Sequence, residues 1–192
     1  MLNEWQKKYP GIVIEFEYGP NSVMERDLRS GKMDLAIASE ALDSRHFINE
    51  EIFQQEFILV SHPSFTPKLD SWENFCSNPF VDYVGSENIF QKWIGAHFKK
   101  HANSVDHLNV RARINNMESI FYLLQQKVGM TIFPSEPLLE LIEKKRLKVH
   151  KTTKKVTNSL YIVRRQGQLF PNRIQALREL VLDLAAAHQP PS

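Results

Sequence analysis

Small polar residues stand at four places in this sequence where an apolar run gives way to a helical pattern: residues 19–22, 83–86, 115–117 and 133–135. A turn from a strand into a helix collects backbone N–H groups with no partner inside the helix, and it lies at the positive end of the helix dipole. Such turns suit carboxylates and other anions. Ser22, Ser86 and Asn116 are also residue types that cap helices with their own side chains, and capping alone would account for each of them. Ser22 has a capping-box partner in Glu25.

Catalytic chemistry finds few candidates. Cys76 is the one cysteine, set beside Phe75 in a short helix with no base nearby, and it reads as a small buried thiol. It cannot form an internal disulfide, and one cysteine is too few for a structural zinc site. His97 and His101 have a spacing that could hold a metal on one helix face, but no glutamate follows the first and no third ligand is in view. His97 fits an apolar stripe, His101 a surface position, and His62 before Pro63 a turn. Glu50 and Glu51 read as solvated. No glycine-rich phosphate loop occurs, so the expectation is no catalytic residue, no metal and no cofactor. Between Lys144 and Lys155 lie seven basic residues and no acid. That run could meet phosphates; a solvated surface around a short strand, with Leu147 and Val149 turned inward, accounts for it better.

The elements that must position these residues follow from hydrophobic period. The chain has 192 residues, 42% hydrophobic and 24% charged, with a net charge of +2. That is a globular composition with material for a core, and a charge too balanced for coating nucleic acid. The longest apolar runs fall far short of the roughly 20 residues that span a bilayer, and no secretory signal opens the chain. Leu2, Trp5 and Tyr9 mark a helix that starts without a cap, which suggests that upstream sequence is missing. Residues 12–18 alternate as a strand with one buried face, and a helix from Ser22 ends at Gly31. Residues 35–38 read as a strand buried on both faces. Residues 48–60 read as extended chain broken near 54–56, and Asp70 with Glu73 opens a short helix. Strands at 80–84, 109–114 and 130–133 alternate with helices after Ser86, after Asn115 or Asn116, and after Pro134, and the second of these strands carries Arg111 and Arg113 on its polar face. A strand at 160–163 and a helix with Pro171 in its first turn complete the chain. This order implies α/β layers around a largely parallel sheet.

Three blocks of this pattern resemble the effector-binding domain of LysR-type transcriptional regulators. They are YPGIVIEFEYGPNSVMERDLRSGKMDLAIA at 9–38, EEIFQQEFILVSHPSF at 51–65 and NNMESIFYLLQQKVGMTIFP at 115–134. The resemblance implies a fold similar to type 2 periplasmic binding proteins: two α/β subdomains joined by two crossover strands, with a small-molecule cleft between them. Subdomain I would be 1–61 plus 165–192 and subdomain II 62–159, with crossovers near 58–61 and 160–164. In that fold the four turns would face the cleft. Asn21, Ser22, Ser86 and Asn116 would then contact a small polar effector, with Ser39 and Phe133 completing the wall.

The sequence departs from the family pattern at its start. The winged helix-turn-helix is absent, and so is the first strand of the effector domain, which would lie inside the first sheet and whose neighbours would be left with unpaired backbone groups. DNA would be met through that missing domain. The resemblance further implies a cytoplasmic homodimer or higher oligomer, with no membrane contact. Residues 1–9 and 12–18 would pack on a partner's 116–126, and the exposed side of Trp5 would be a natural contact. Two rivals share the architecture: an extracytoplasmic solute-binding protein, and a lyase or dehydratase, for which no convergent acid and base are found.

Overall fold

The computed structural model describes residues 2–169 and 171–188. The chain divides into two compact units. Unit 1 takes in the residues up to Gln54 and those from Asn158 on; unit 2 is Gln55–Thr157.

Unit 2 is a sheet with both faces covered. Its strands are the second half of β2 (Phe47–Ser61), with β3 (Pro79–Tyr83), β4 (Asn109–Ile114), β5 (Met130–Pro134) and β6 (Lys148–His150). β3 runs parallel to both β4 and β5, whereas β2 is antiparallel to β5 and to β6. Adjacent residues of a strand point to opposite faces. Leu59, Phe80, Met130 and Ile132 therefore join Phe75, Phe90, Trp93 and Ile94 in one core, beneath α3 (Trp72–Ser77) and α4 (Glu87–His97). Val60, Val81 and Phe133 join Ile120, Leu124, Leu138 and Leu147 in the other. That second core lies beneath α5 (Met117–Gln125) and a 3-10 turn that runs into α6 (Leu139–Glu143). Gly129 makes the entry to β5 possible. A methyl there would sit 2.5 Å from the Pro79 carbonyl oxygen, so no larger residue fits without a shift of backbone.

Unit 1 is smaller and less complete. β1 (Ala36–Ala38) pairs antiparallel with β7 (Thr157–Arg165), which lies beside β2. One face carries α2 (Asn21–Ser30), whose Leu28 packs with Ala36, Ala38, Phe47 and Val163. Ile52, Phe53 and Ile162 meet Val181 of α7 (Asn172–His188) in another cluster. α1 (Leu2–Lys8) packs there too, where the Trp5 indole N–H donates to the Ala176 carbonyl at 3.1 Å.

Several expectations are corrected. Residues 12–18 are extended, but among the described residues no backbone group from Val13 to Tyr18 pairs with another backbone group. Alternation fits a residue to a strand; only a neighbouring strand makes one. Ile37 is 49% exposed beside this segment, so the 35–38 strand is not buried on both faces. The sheet is mixed rather than largely parallel, because β2 and β7 each run antiparallel to a strand they pair with. β2 is unbroken through 54–56: backbone pairing tolerates polar side chains that point to solvent. Trp5 is buried in its own chain and offers no exposed side. α3 is capped by Ser71, whose hydroxyl accepts from the Asn74 N–H at 3.1 Å, and not by Asp70. Pro171 stands just ahead of α7, its carbonyl accepting from Ile174 and Gln175.

Candidate functional site

Because β3, β4 and β5 are parallel, their carboxyl ends lie along one edge of unit 2. Ligands of α/β sheets settle outside that kind of edge. Three of the four turns gather there. Asp82 of β3 stands opposite Arg113 of β4, and the Arg113 Nε–H donates to Asp82 Oδ2 at 2.8 Å. The Ser86 hydroxyl donates to the other carboxylate oxygen. A carboxylate 4% exposed would be costly alone, but this one has a partner on each oxygen. The hydrogen bond and charge of Asp82 hold the Arg113 guanidinium above its ordinary pKa, and most of that side chain remains in solvent. Burial, reinforced by Asp82 and Glu87, pushes the Tyr83 phenol well up, so it stays a protonated donor. Tyr83 packs edge-on against Phe133 with ring centroids 5.1 Å apart, and Phe121 closes on Phe133 from another side.

The expected site residues of unit 2 thus have different surroundings. Asn116 caps α5, its Oδ1 accepting from the Ser119 N–H at 2.9 Å; among the described residues its NH₂ has no partner. Ser86 occupies the cap position of α4 but is almost wholly buried, its hydroxyl turned to Asp82 and not to the helix. Phe133 is part of the core beneath α5. Arg113 was not anticipated here. It and Asp82 are far apart in sequence, and only the register between β3 and β4 brings them together.

In unit 1, Asn21 is the first residue of α2. Its NH₂ donates to Ser39 Oγ at 3.3 Å and to Glu40 Oε1 at 2.9 Å. The buried Asn158 donates to the Ser39 carbonyl at 2.8 Å, so Ser39 is held from two directions. Ser22 is exposed and is not the cap: Pro20 takes that place, its carbonyl accepting from Val23 and Met24. The fixed φ of proline suits that position, and the reciprocal bond to Glu25 does not form.

Elsewhere the reactive side chains are occupied structurally. Burial and the nearby Glu73 push the Cys76 thiol up to about 11, which keeps it protonated. His97 donates to the Trp93 carbonyl and stacks on that indole at 4.0 Å. His101 is half-buried rather than a surface residue, because it stacks on Trp72 at 4.5 Å. The Glu50 carboxylate is gripped by Arg178 and Glu51 accepts from Ser159, so neither is simply solvated. Among the described residues no group of three or more His, Cys, Asp or Glu could hold a metal ion. In the basic run, Lys144 pairs with Glu140, Lys155 with Glu56, and Lys154 donates to the Ala96 carbonyl, while Leu147 points into the core.

The family model of the LysR substrate binding domain matches residues 1–186. No curated protein sequence matches the chain. Among solved structures it is similar to full-length LysG of Corynebacterium glutamicum with bound effector Arg: TM-score 0.75 at 14% identity, over 99% of this chain and 64% of LysG. The chain therefore spans less than two thirds of that regulator. It is also similar to the CcmR regulatory domain of Synechocystis in complex with 2-PG: TM-score 0.76 at 13% identity, over 98% of this chain and 91% of that one. The effector-binding domain of QuiR in complex with shikimate gives a TM-score of 0.69 at 14% identity, over 98% of this chain and 90% of that one.

Proposed function

Because the chain belongs to the LysR substrate-binding domain family, with its type 2 periplasmic-binding-protein-like α/β fold, we propose that it is the effector-sensing part of a LysR-type transcriptional regulator. The observation that carries this reading is the Asp82–Ser86–Arg113 network at the carboxyl edge of unit 2, with Asn116 capping the helix that follows β4. A guanidinium anchored through Nε by a buried carboxylate keeps its remaining N–H groups for a second anion. Helix N-termini at Glu87 and Met117 add further donors. The effector is thus a small polar molecule bearing a carboxylate or phosphate, which is the size and polarity of the arginine, 2-PG and shikimate named with LysG, CcmR and QuiR. Its contacts in unit 2 would be Arg113 and Asn116, with Ser86 holding the Asp82 carboxylate behind them.

On this reading the chain is a binding module and not an enzyme. It works in the cytoplasm, as a homodimer or higher oligomer, and controls transcription through a DNA-binding domain outside these residues. No described helix is long and apolar enough to cross a membrane. Exposed apolar residues support self-association: Leu2 on α1, and Met117 and Tyr122 on α5. A dimer in light scattering is expected, and a persistent monomer would count against it.

The test is thermal unfolding of the chain against arginine, 2-PG, shikimate and inorganic phosphate. At least one should raise the Tm; Arg113→Gln should lower the Tm of the free protein, because the buried Asp82 carboxylate loses its partner on Oδ2, and should abolish the rise with ligand. An undiminished rise in Arg113→Gln removes Arg113 from the site.

A further inference from the structure

β3 and β4 do not match residue for residue. Phe80 stands opposite Val110 and Val81 opposite Ala112, so Arg111 has no residue across from it. The packing of the two cores reports the same extra residue. Val110 packs against the core that holds Phe80, whereas Ile114 and Tyr83 pack against the other. An unbroken strand would turn 110 and 114 to one face. Arg111 is therefore a bulge. With Arg111 removed, Asn109, Val110, Ala112, Arg113 and Ile114 would still fall opposite Pro79, Phe80, Val81, Asp82 and Tyr83 in order. The ladder does not need this residue, and bulges beside binding sites serve to aim a side chain.

Charge says what that side chain adds. The Arg113 guanidinium is bound to Asp82, and Ser86 donates to the same carboxylate. That ion pair is formally neutral, so Arg113 offers N–H groups to a ligand without a net charge. Glu87, at the start of α4, lies close enough for its charge to act on Arg113 as well. A site made of these groups alone would carry a surplus of negative charge and would repel an anion. Arg111 is exposed, and its side chain has no ion pair or hydrogen bond among the described residues. It stands on the outer strand of the sheet. Two residues of strand separate it from Arg113 by at most about 7 Å.

We propose that Arg111 supplies the positive charge of this site and makes it select an anion over a neutral molecule of the same shape. Arg113 then orients the carboxylate or phosphate through hydrogen bonds, and Arg111 sets the preference for charge. This role rests on the effector reading above. Its rival is edge protection, since a charged bulge on an outer strand keeps other strands from pairing there. A guard of that kind would leave ligand preference alone.

The experiment compares acetate with acetamide, which share a shape and differ in charge, by the amide shifts of residues 113–117 at low salt. Amides of unit 2 away from β4 are the folding control. Acetate should bind at least about fivefold more tightly than acetamide. Arg111→Gln and deletion of Arg111 should each bring that ratio to about one, with acetamide binding unchanged. Added salt should erode the ratio in the unmodified chain only. Arg113→Gln should weaken both probes. An acetate preference that survives in both Arg111 variants overturns the proposal and leaves the effector reading standing, and self-association of those variants would then make Arg111 an edge guard. Equal weakening of acetate and acetamide in them also overturns it, by making Arg111 a structural residue. So does the absence of shifts with either probe; shifts at 113–117 with inorganic phosphate would then show that the effector reading has not fallen with it.

Discussion

The two units share one chain and one architecture but differ in completeness. Unit 2 has helices over both sheet faces and a neighbour for each strand, with Phe75, Phe80, Phe90 and Ile94 fully buried. Among the described residues unit 1 has three strands, a short edge at β1 and a row of apolar side chains in solvent. The difference teaches that a strand-like sequence is only half of a strand. Residues 109–114 and 12–18 both alternate; the first has β3 to pair with and becomes β4, and the second has no such neighbour.

The largest effect should separate the units most plainly. Trp93 is 2% exposed and stacks on Phe75 and His97, so Trp93→Ala should cost about 3–5 kcal/mol in urea unfolding. Tyr18→Ala, at a residue almost wholly in solvent, should stay within about 0.5 kcal/mol. A large loss at Tyr18 would mean that unit 1 is already closed in solution. Next, Gly129→Ala forces a methyl against the Pro79 carbonyl and should cost about 1–3 kcal/mol, without altering amide hydrogen exchange at 12–18. Smaller still, Asn116→Ala removes a side-chain cap and should cost about 1 kcal/mol, whereas Ser22→Ala should cost nothing measurable.

The smallest effect is a pH dependence confined to unit 2. His150 lies beside Ser61 Oγ at 2.7 Å, and burial, with Lys148 nearby, lowers its pKa from the ordinary 6.5. The unfolded chain therefore binds this proton more readily than the folded one. Stability from His150 is present above about pH 6.5 and is lost as pH falls toward the lower folded value. His150→Gln should flatten that part of the stability profile, and an unchanged slope would assign it to other groups.

What the sequence made legible was local. Gly31 ends α2 with a φ of 77°, Asn116 caps α5, and β4 falls on its alternating run. What it hid was relational. The Asp82–Arg113 pair depends on register between strands, and Ser86 reads as a cap because its buried partner cannot be seen from spacing. Pro20 displaced Ser22 because a proline with φ of −67° already suits the position ahead of a helix. The resemblance to one family supplied the fold; the residues supplied turns, and their placement supplied the Arg113 anchor.

The most direct test of the effector-sensing account is a map of backbone amide shifts as the chain is titrated with arginine, 2-PG, shikimate and inorganic phosphate. The account predicts that a binding compound moves the amides of residues 83–87, 113–117 and 133–135. Shifts confined to residues 12–18 and 32–37 of unit 1, or no shift with any of the four, would contradict it.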